Sequence, residues 1–138
     1  MLKVLEEIED SRRERSVWYP LHEVLFIFLA AVICGATSYV KVEMFGKSKE
    51  KWLKKYIKLE NGIPDACTFR NVVKAIDTRQ LHRARADNSA ENLNVLRHWA
   101  YNLLKAQSSL KGSFSDKQFK CLLDEAFLDK VIASALCS

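Results

Sequence analysis

Arg70, Asn71 and Lys74 sit together in the stretch TFRNVVKAID. An arginine can bond two acceptors on guanine, an asparagine can bridge adenine, and a lysine can neutralise a phosphate. Any exposed helix face carries such residues, so the trio fits a DNA-reading helix and a plain scaffold alike. Upstream, Lys47, Lys49, Lys51, Lys54 and Lys55 crowd together. From Ser38 to Lys58 seven lysines stand against Glu43 and Glu50, a local balance of +5. A second basic stretch, Thr78 to Gly112, sets six cations against Asp87 and Glu91, leaving +4. The whole chain carries +5 and has a pI near 9.1, so the remaining segments are net acidic and the basicity is local. Local positive patches favour polyanions, although lysine runs are commonly no more than a solvated helix face. The candidate DNA-binding set is Lys47, Lys49, Lys51, Lys54, Lys55, Arg70, Asn71 and Lys74.

Other chemistries lack their residues. There is no glycine-rich phosphate loop and no H-E-x-x-H helix. His22, His82 and His98 have no metal-ligand spacing, and His22 reads as a partly exposed surface residue. The carboxylate pairs Glu6/Glu7 and Asp124/Glu125 are sequence neighbours, which point apart on a helix and cannot share one ion. Two-metal phosphoryl transfer needs three or four converging acids. No catalytic residue, metal ligand or cofactor is therefore expected. Cys34, Cys67, Cys121 and Cys137 form no C-x-x-C pair, and no secretory leader precedes them; reduced thiols in a cytoplasmic protein follow. Cys34 should pack as a small hydrophobe.

The elements that must hold these residues read as helices throughout. At 138 residues, about half of them apolar, the chain has room for one domain, or a small domain with an appendage. Leu2, Leu5 and Ile8 predict a short amphipathic helix. Arg12, Arg13 and Arg15 follow, either as an exposed loop or as a phosphate-contacting arm. Pro20 suits a helix start. The apolar run Val24–Ala36 spans 13 residues. A bilayer span needs about 20, so this run predicts a buried central helix, with Gly35 at its C-terminal cap. Tyr39, Val42 and Phe45 share the next face, then Trp52, Leu53, Tyr56 and Ile57. Gly46 and Ser48 predict a bend between them, with Ser48 capping the second half. Trp52 and Tyr56 could stack on bases, but core packing is the stronger expectation. Asn61-Gly62-Ile63-Pro64 is a tight break. Asp65 then caps a helix whose stripe is Phe69, Val72, Val73 and Ile76. A helix, a turn and a second helix beside cations is a common DNA-holding arrangement.

The segment from Thr78 to Asp87 is polar and lacks a stripe, which predicts a linker. Asn88 to Glu91 predicts a capping box. It opens a helix with Leu93, Leu96, Trp99, Ala100, Leu103 and Leu104 on one side, ended by Ser108–Gly112. A final helical segment presents Phe119, Leu122, Leu123, Ala126, Phe127, Val131 and Ile132. No stretch alternates as a strand, so the fold class is all-α: a small helical bundle with a helix-turn-helix-like N-terminal part.

From about Asp10 to Leu81 the chain resembles the N-terminal domain associated with DDE transposases, and within it the H-repeat-associated, ISAs-type insertion-sequence group. The matching pieces are Asp10-Ser11-Arg12, YPLHEVLFIFLAAVICGA, EMFG ending at Gly46, and ENGIP running into TFRNVVKAID. One departure is Asp65-Ala66-Cys67, where the family has a small polar residue, His and Asp. RARADNSAENLNVLRHWAYNLLK and KCLLDEAFLDKVI are similar to the C-terminal helix and closing segment of the same family. The resemblance implies residues 1–81 as the N-terminal helical domain, 82–87 as a deletion junction and 88–138 as a C-terminal remnant. The RNase-H-like catalytic core between them, with its sheet, its acidic residues and the magnesium of the intact family, is missing. Asp77, Asp87 and Glu91 do not match the catalytic motifs. The expected function is a truncated transposase remnant without strand-transfer chemistry, at most binding DNA or associating with an intact transposase. The alternative is a helical interaction or oligomerisation module, or a decayed fragment, with no nucleic acid partner. Expected partners are thus DNA, intact transposase or a second copy, with no membrane and no small-molecule substrate.

Overall fold

The computed structural model describes residues 2–10, 12, 17–76 and 92–136. Within them every regular element is a helix: α1 (Leu2–Glu6), α2 (Leu21–Ile33), α3 (Tyr39–Ser48), α4 (Glu50–Leu53), α5 (Ala66–Ala75), α6 (Asn92–Ala106), α7 (Phe114–Leu123) and α8 (Glu125–Leu136). The capping box at Asn88–Glu91 and the linker at Thr78–Asp87 lie outside the described residues.

The molecule is built on α2. Every residue of this helix except His22 is buried. A Leu, Ile or Phe side chain taken fully out of water contributes about 1.5–3 kcal/mol, so this helix dominates the core. α1, α3, α5 and α6 pack around it, α6 most extensively. Its C-terminus closes in a Schellman motif. The N–H of Gly35 donates to the Val32 carbonyl (3.0 Å) and that of Ala36 to Ala31 (2.9 Å), with Gly35 at φ +94°. That left-handed turn costs glycine little. Gln118 of α7 adds an amide N–H to the Val32 carbonyl at 3.1 Å. No helix among the described residues is long and apolar enough to cross a membrane.

Glu23, the one charged residue buried in the core among the described residues, has a structural task. Its carboxylate accepts the N–H groups of Lys58 (3.2 Å) and Leu59 (3.3 Å). Leu59 sits at φ +52° with its side chain buried. The Glu23 clamp and that burial together hold a backbone conformation leucine otherwise avoids.

The bend between α3 and α4 differs from expectation. Gly46 lies inside α3 and is buried. A Cβ there would stand 2.6 Å from Cγ2 of Ile63, so the glycine serves close packing against the Ile63-Pro64 loop. Ser48 does not cap α4; its hydroxyl donates back to the Phe45 carbonyl at 3.0 Å, and Lys49 occupies the cap position. α4 is a single turn, so Tyr56 and Ile57 follow it in turns and coil and do not continue a helix.

The last helical segment is also broken. Asp124 ends α7, and its carboxylate accepts from the N–H groups of Ala126 (3.0 Å) and Phe127 (3.2 Å), capping α8. α7 turns Cys121 inward, so its part of the expected stripe points outward: Phe119 is 62% exposed and Leu123 67%, whereas Phe127, Val131 and Ile132 of α8 are buried as expected. Arg12 is not a free arm. Its guanidinium bonds Asp10 (2.6 and 2.8 Å) and the Tyr19 carbonyl (2.8 Å), tying α1 to the approach to α2. The same contact holds the Asp10 carboxyl below its ordinary range. Arg13 and Arg15 lie outside the described residues.

Candidate nucleic-acid interface

The candidate cations occupy two neighbouring places. α5 is set by Asp65, whose carboxylate accepts the Thr68 N–H at 2.7 Å. The Thr68 hydroxyl and that N–H hold the Asp65 carboxyl below its usual range. Glu43 of α3 accepts the Ala66 N–H at 2.8 Å, so a second carboxylate meets the same helix start. With both ends of the turn fixed, Phe69, Val72 and Val73 point inward, and Arg70, Asn71 and Lys74 lie exposed. Among the described residues neither Arg70 nor Lys74 has a carboxylate partner, while Asn71 reaches only the Cys67 sulfur, at 4.0 Å.

The five lysines are less available than their spacing suggests. Lys47 is paired with Glu43, and Lys54 with Glu50 at 2.7 Å. Lys49, its side chain only 17% exposed, bonds Glu125 at 3.2 Å, and Lys55 approaches the same carboxylate at 4.0 Å. Lys51 is exposed with no ion pair among the described residues. Such exposed pairs contribute little to stability, but they reduce the field that a phosphate would meet. Glu125 comes from α8, 76 residues beyond Lys49, and nothing in local spacing announces it.

Trp52 is a core residue, and the partly buried Tyr56 packs against the core. Trp52 is fully buried and stacks near Phe26, at 6.2 Å between ring centroids. Its indole N–H and the Tyr56 hydroxyl both donate to one oxygen of Asp129, at 2.7 and 2.6 Å. Burial, then this hydrogen bond to a carboxylate, pushes the Tyr56 phenol up.

Sequence reasoning missed Arg97. Its guanidinium, on α6, donates to the Thr37 carbonyl at 3.2 Å. It shares a cleft of about 260 Å³ with Arg70, whose guanidinium lies 5.8 Å from the Tyr39 ring centre. Only the basic balance of the stretch around Arg97 hinted at it. Among the described residues no three His, Cys, Asp or Glu side chains converge to hold a metal ion. Magnesium, implied for the intact family, thus finds no fitting donor set among the described residues.

A family model described as DDE_Tnp_1-associated matches residues 2–87. "Putative transposase YncI" of Escherichia coli O157:H7 is 38% identical over 78 residues, covering 56% of this chain and 20% of that protein. "H repeat-associated putative transposase YbfD" of Escherichia coli K12 is 32% identical over 84 residues, covering 61% of this chain and 33% of that one. "Inactive transposase YbfQ" of the same strain is 35% identical over 74 residues, 51% of this chain and 88% of its own length. The chain therefore spans between a fifth and a third of YncI and YbfD but most of YbfQ. No solved structure matches.

Proposed function

The chain belongs to the DDE_Tnp_1-associated family, and on that footing we propose that it is an internally deleted transposase remnant that holds DNA without strong sequence preference. In this reading the family's helical N-terminal domain is joined directly to C-terminal helices. The acidic, magnesium-holding core of the intact enzymes has no counterpart in the sequence. The observation that carries DNA binding is the exposed face of α5, where Arg70 and Lys74 project with no carboxylate partner among the described residues. Lys51 adds a third such cation from α4. Lys47, Lys49, Lys54 and Lys55 are secondary, since each faces a glutamate.

Binding of this kind releases counterions and must weaken steeply with salt. A gel-shift titration on duplex DNA is expected to show retention at low salt that fades as salt rises. Lys74→Ala and Lys51→Ala should each shallow that dependence. Absence of retention at low salt, or retention indifferent to salt, would overturn the reading. A nuclease assay with magnesium or manganese is expected to show no cleavage, and cleavage would refute the loss of chemistry.

A second reading rests on a different surface. Met44, Phe119, Leu122 and Leu123 are large, apolar and exposed. Met44 and Leu122 line one groove between α3 and α7. Apolar surface of this kind favours association with an intact transposase or with a second copy. A dimer in light scattering that ignores DNA would support this alternative over the first.

A further inference from the structure

We propose that the cleft between the end of α2, the start of α3, α5 and α6 is a single-stranded nucleic-acid site that takes one unstacked base with its phosphates. This rests on the DNA-binding reading above and deepens it. The floor is apolar, made by Phe28, Val32 and Val42, and the half-buried Tyr39 ring lies 6.0 Å from that of Phe28. Two guanidiniums stand at the mouth. That of Arg70 is held over Tyr39, and that of Arg97 is held by the Thr37 carbonyl. Among the described residues no acidic side chain lines the cleft. A third cation, Lys41, bonds the Thr37 hydroxyl at 3.1 Å beside it.

The chemistry selects the ligand. A planar, weakly hydrated guanidinium both stacks on flat rings and bonds phosphate oxygens, so Arg70 and Arg97 can meet either part of a nucleotide. The volume of about 260 Å³ falls just under the range of drug-sized sites, which suits one base better than a dinucleotide cofactor. A base inside a duplex is stacked on both faces and cannot enter; an unpaired base can. The two arginines come from different helices, Arg70 from α5 and Arg97 from α6. The cleft therefore exists only when α6 is packed against α2 and α5.

The test is fluorescence anisotropy on the full chain, with a labelled single-stranded oligonucleotide and a duplex of equal length. Wild type is expected to bind the single strand more tightly. Arg97→Gln and Arg70→Gln should each lose at least about fivefold in single-strand affinity. Each should also shallow its logarithmic salt slope by about 0.7. Duplex affinity should fall less for Arg97→Gln than for Lys74→Ala. Glutamine at 97 keeps an amide N–H for the Thr37 carbonyl, and matched thermal melts confirm that the variants fold. Tyr39→Leu should weaken single-strand binding with the slope unchanged. If duplex binding persists but the glutamine variants leave single-strand affinity within twofold, the cleft proposal falls and the DNA-binding reading stands. Equal affinity for a free mononucleotide would also overturn it. If wild type binds neither nucleic acid, both fall.

Discussion

Asp129 shows how far a single carboxylate reaches in this molecule. It serves the indole of Trp52 and the phenol of Tyr56 with one oxygen. Asp129→Ala leaves a buried indole N–H unpaired and should cost about 1–3 kcal/mol in urea unfolding. Asp129→Asn, which keeps an acceptor, should cost less. The cysteines give a second prediction. Burial, and then the nearby Asp124 carboxylate, pushes the Cys121 thiol up from 9.0 to about 12, and burial raises Cys34 as well. Both resist forming the reactive thiolate, whereas Cys67 is exposed. In a maleimide time course on the folded chain, Cys67→Ser should remove a fast-labelling site, while Cys34 and Cys121 label only on unfolding. The sign with pH follows. Groups whose folded pKa is raised contribute stability fully present below their unfolded value of about 9. That contribution is lost as pH rises toward 12, because the unfolded thiols release protons that the folded ones keep. Alkaline melts of Cys121→Ala should fall less steeply over this window than those of wild type.

At the scale of elements, the join between α3 and the loop before α5 is set by a missing side chain. Gly46 allows Ile63 to lie against the α3 backbone. Glycine in a helix costs about 1 kcal/mol relative to alanine, so Gly46→Ala would stabilise a free helix. Here the added carbon meets a branched methyl, and the net effect should be a loss of about 1–3 kcal/mol. Ile63→Ala in the same chain should relieve part of it, and a double-mutant cycle on melting data would show the coupling. α7 makes the converse point. Its N-terminus is fixed by the Ser113–Asp116 capping box, and Lys117 donates to the Leu104 and Gln107 carbonyls at the end of α6, at 3.2 and 2.7 Å. These polar anchors orient α7 so that its most apolar stripe faces out.

For the molecule as a whole, one core runs through both halves of the sequence. Leu5, α2, Trp52 and Phe69 share it with Val95, Leu96, Leu104, Leu128 and Val131. The family match ends at residue 87, yet α6 is the most extensive neighbour of α2. A fragment of residues 1–87 should therefore expose an apolar face of α2, bind a hydrophobic dye and melt without a sharp transition. The full chain should melt cooperatively. A sharp melt of the fragment at the full chain's temperature would show that the C-terminal helices add nothing to the fold.

The sequence by itself determined that the elements are helices, though not every break between them, because helical periodicity, caps and breakers act within a few residues. The buried run of α2, the Asp65 cap, the inward face of α5 and the core placement of Trp52 were all readable that way. So was the family likeness, carried by short contiguous motifs. Which cations remain exposed and unpaired was decided only by tertiary structure. Charge is cancelled by whatever comes close in space, and Glu125 meets Lys49 across most of the chain. The same holds for Asp129 beneath Trp52, for the outward turn of Phe119 and for the meeting of Arg70 with Arg97. Each depends on how helices distant in sequence pack around α2, and no local pattern encodes that.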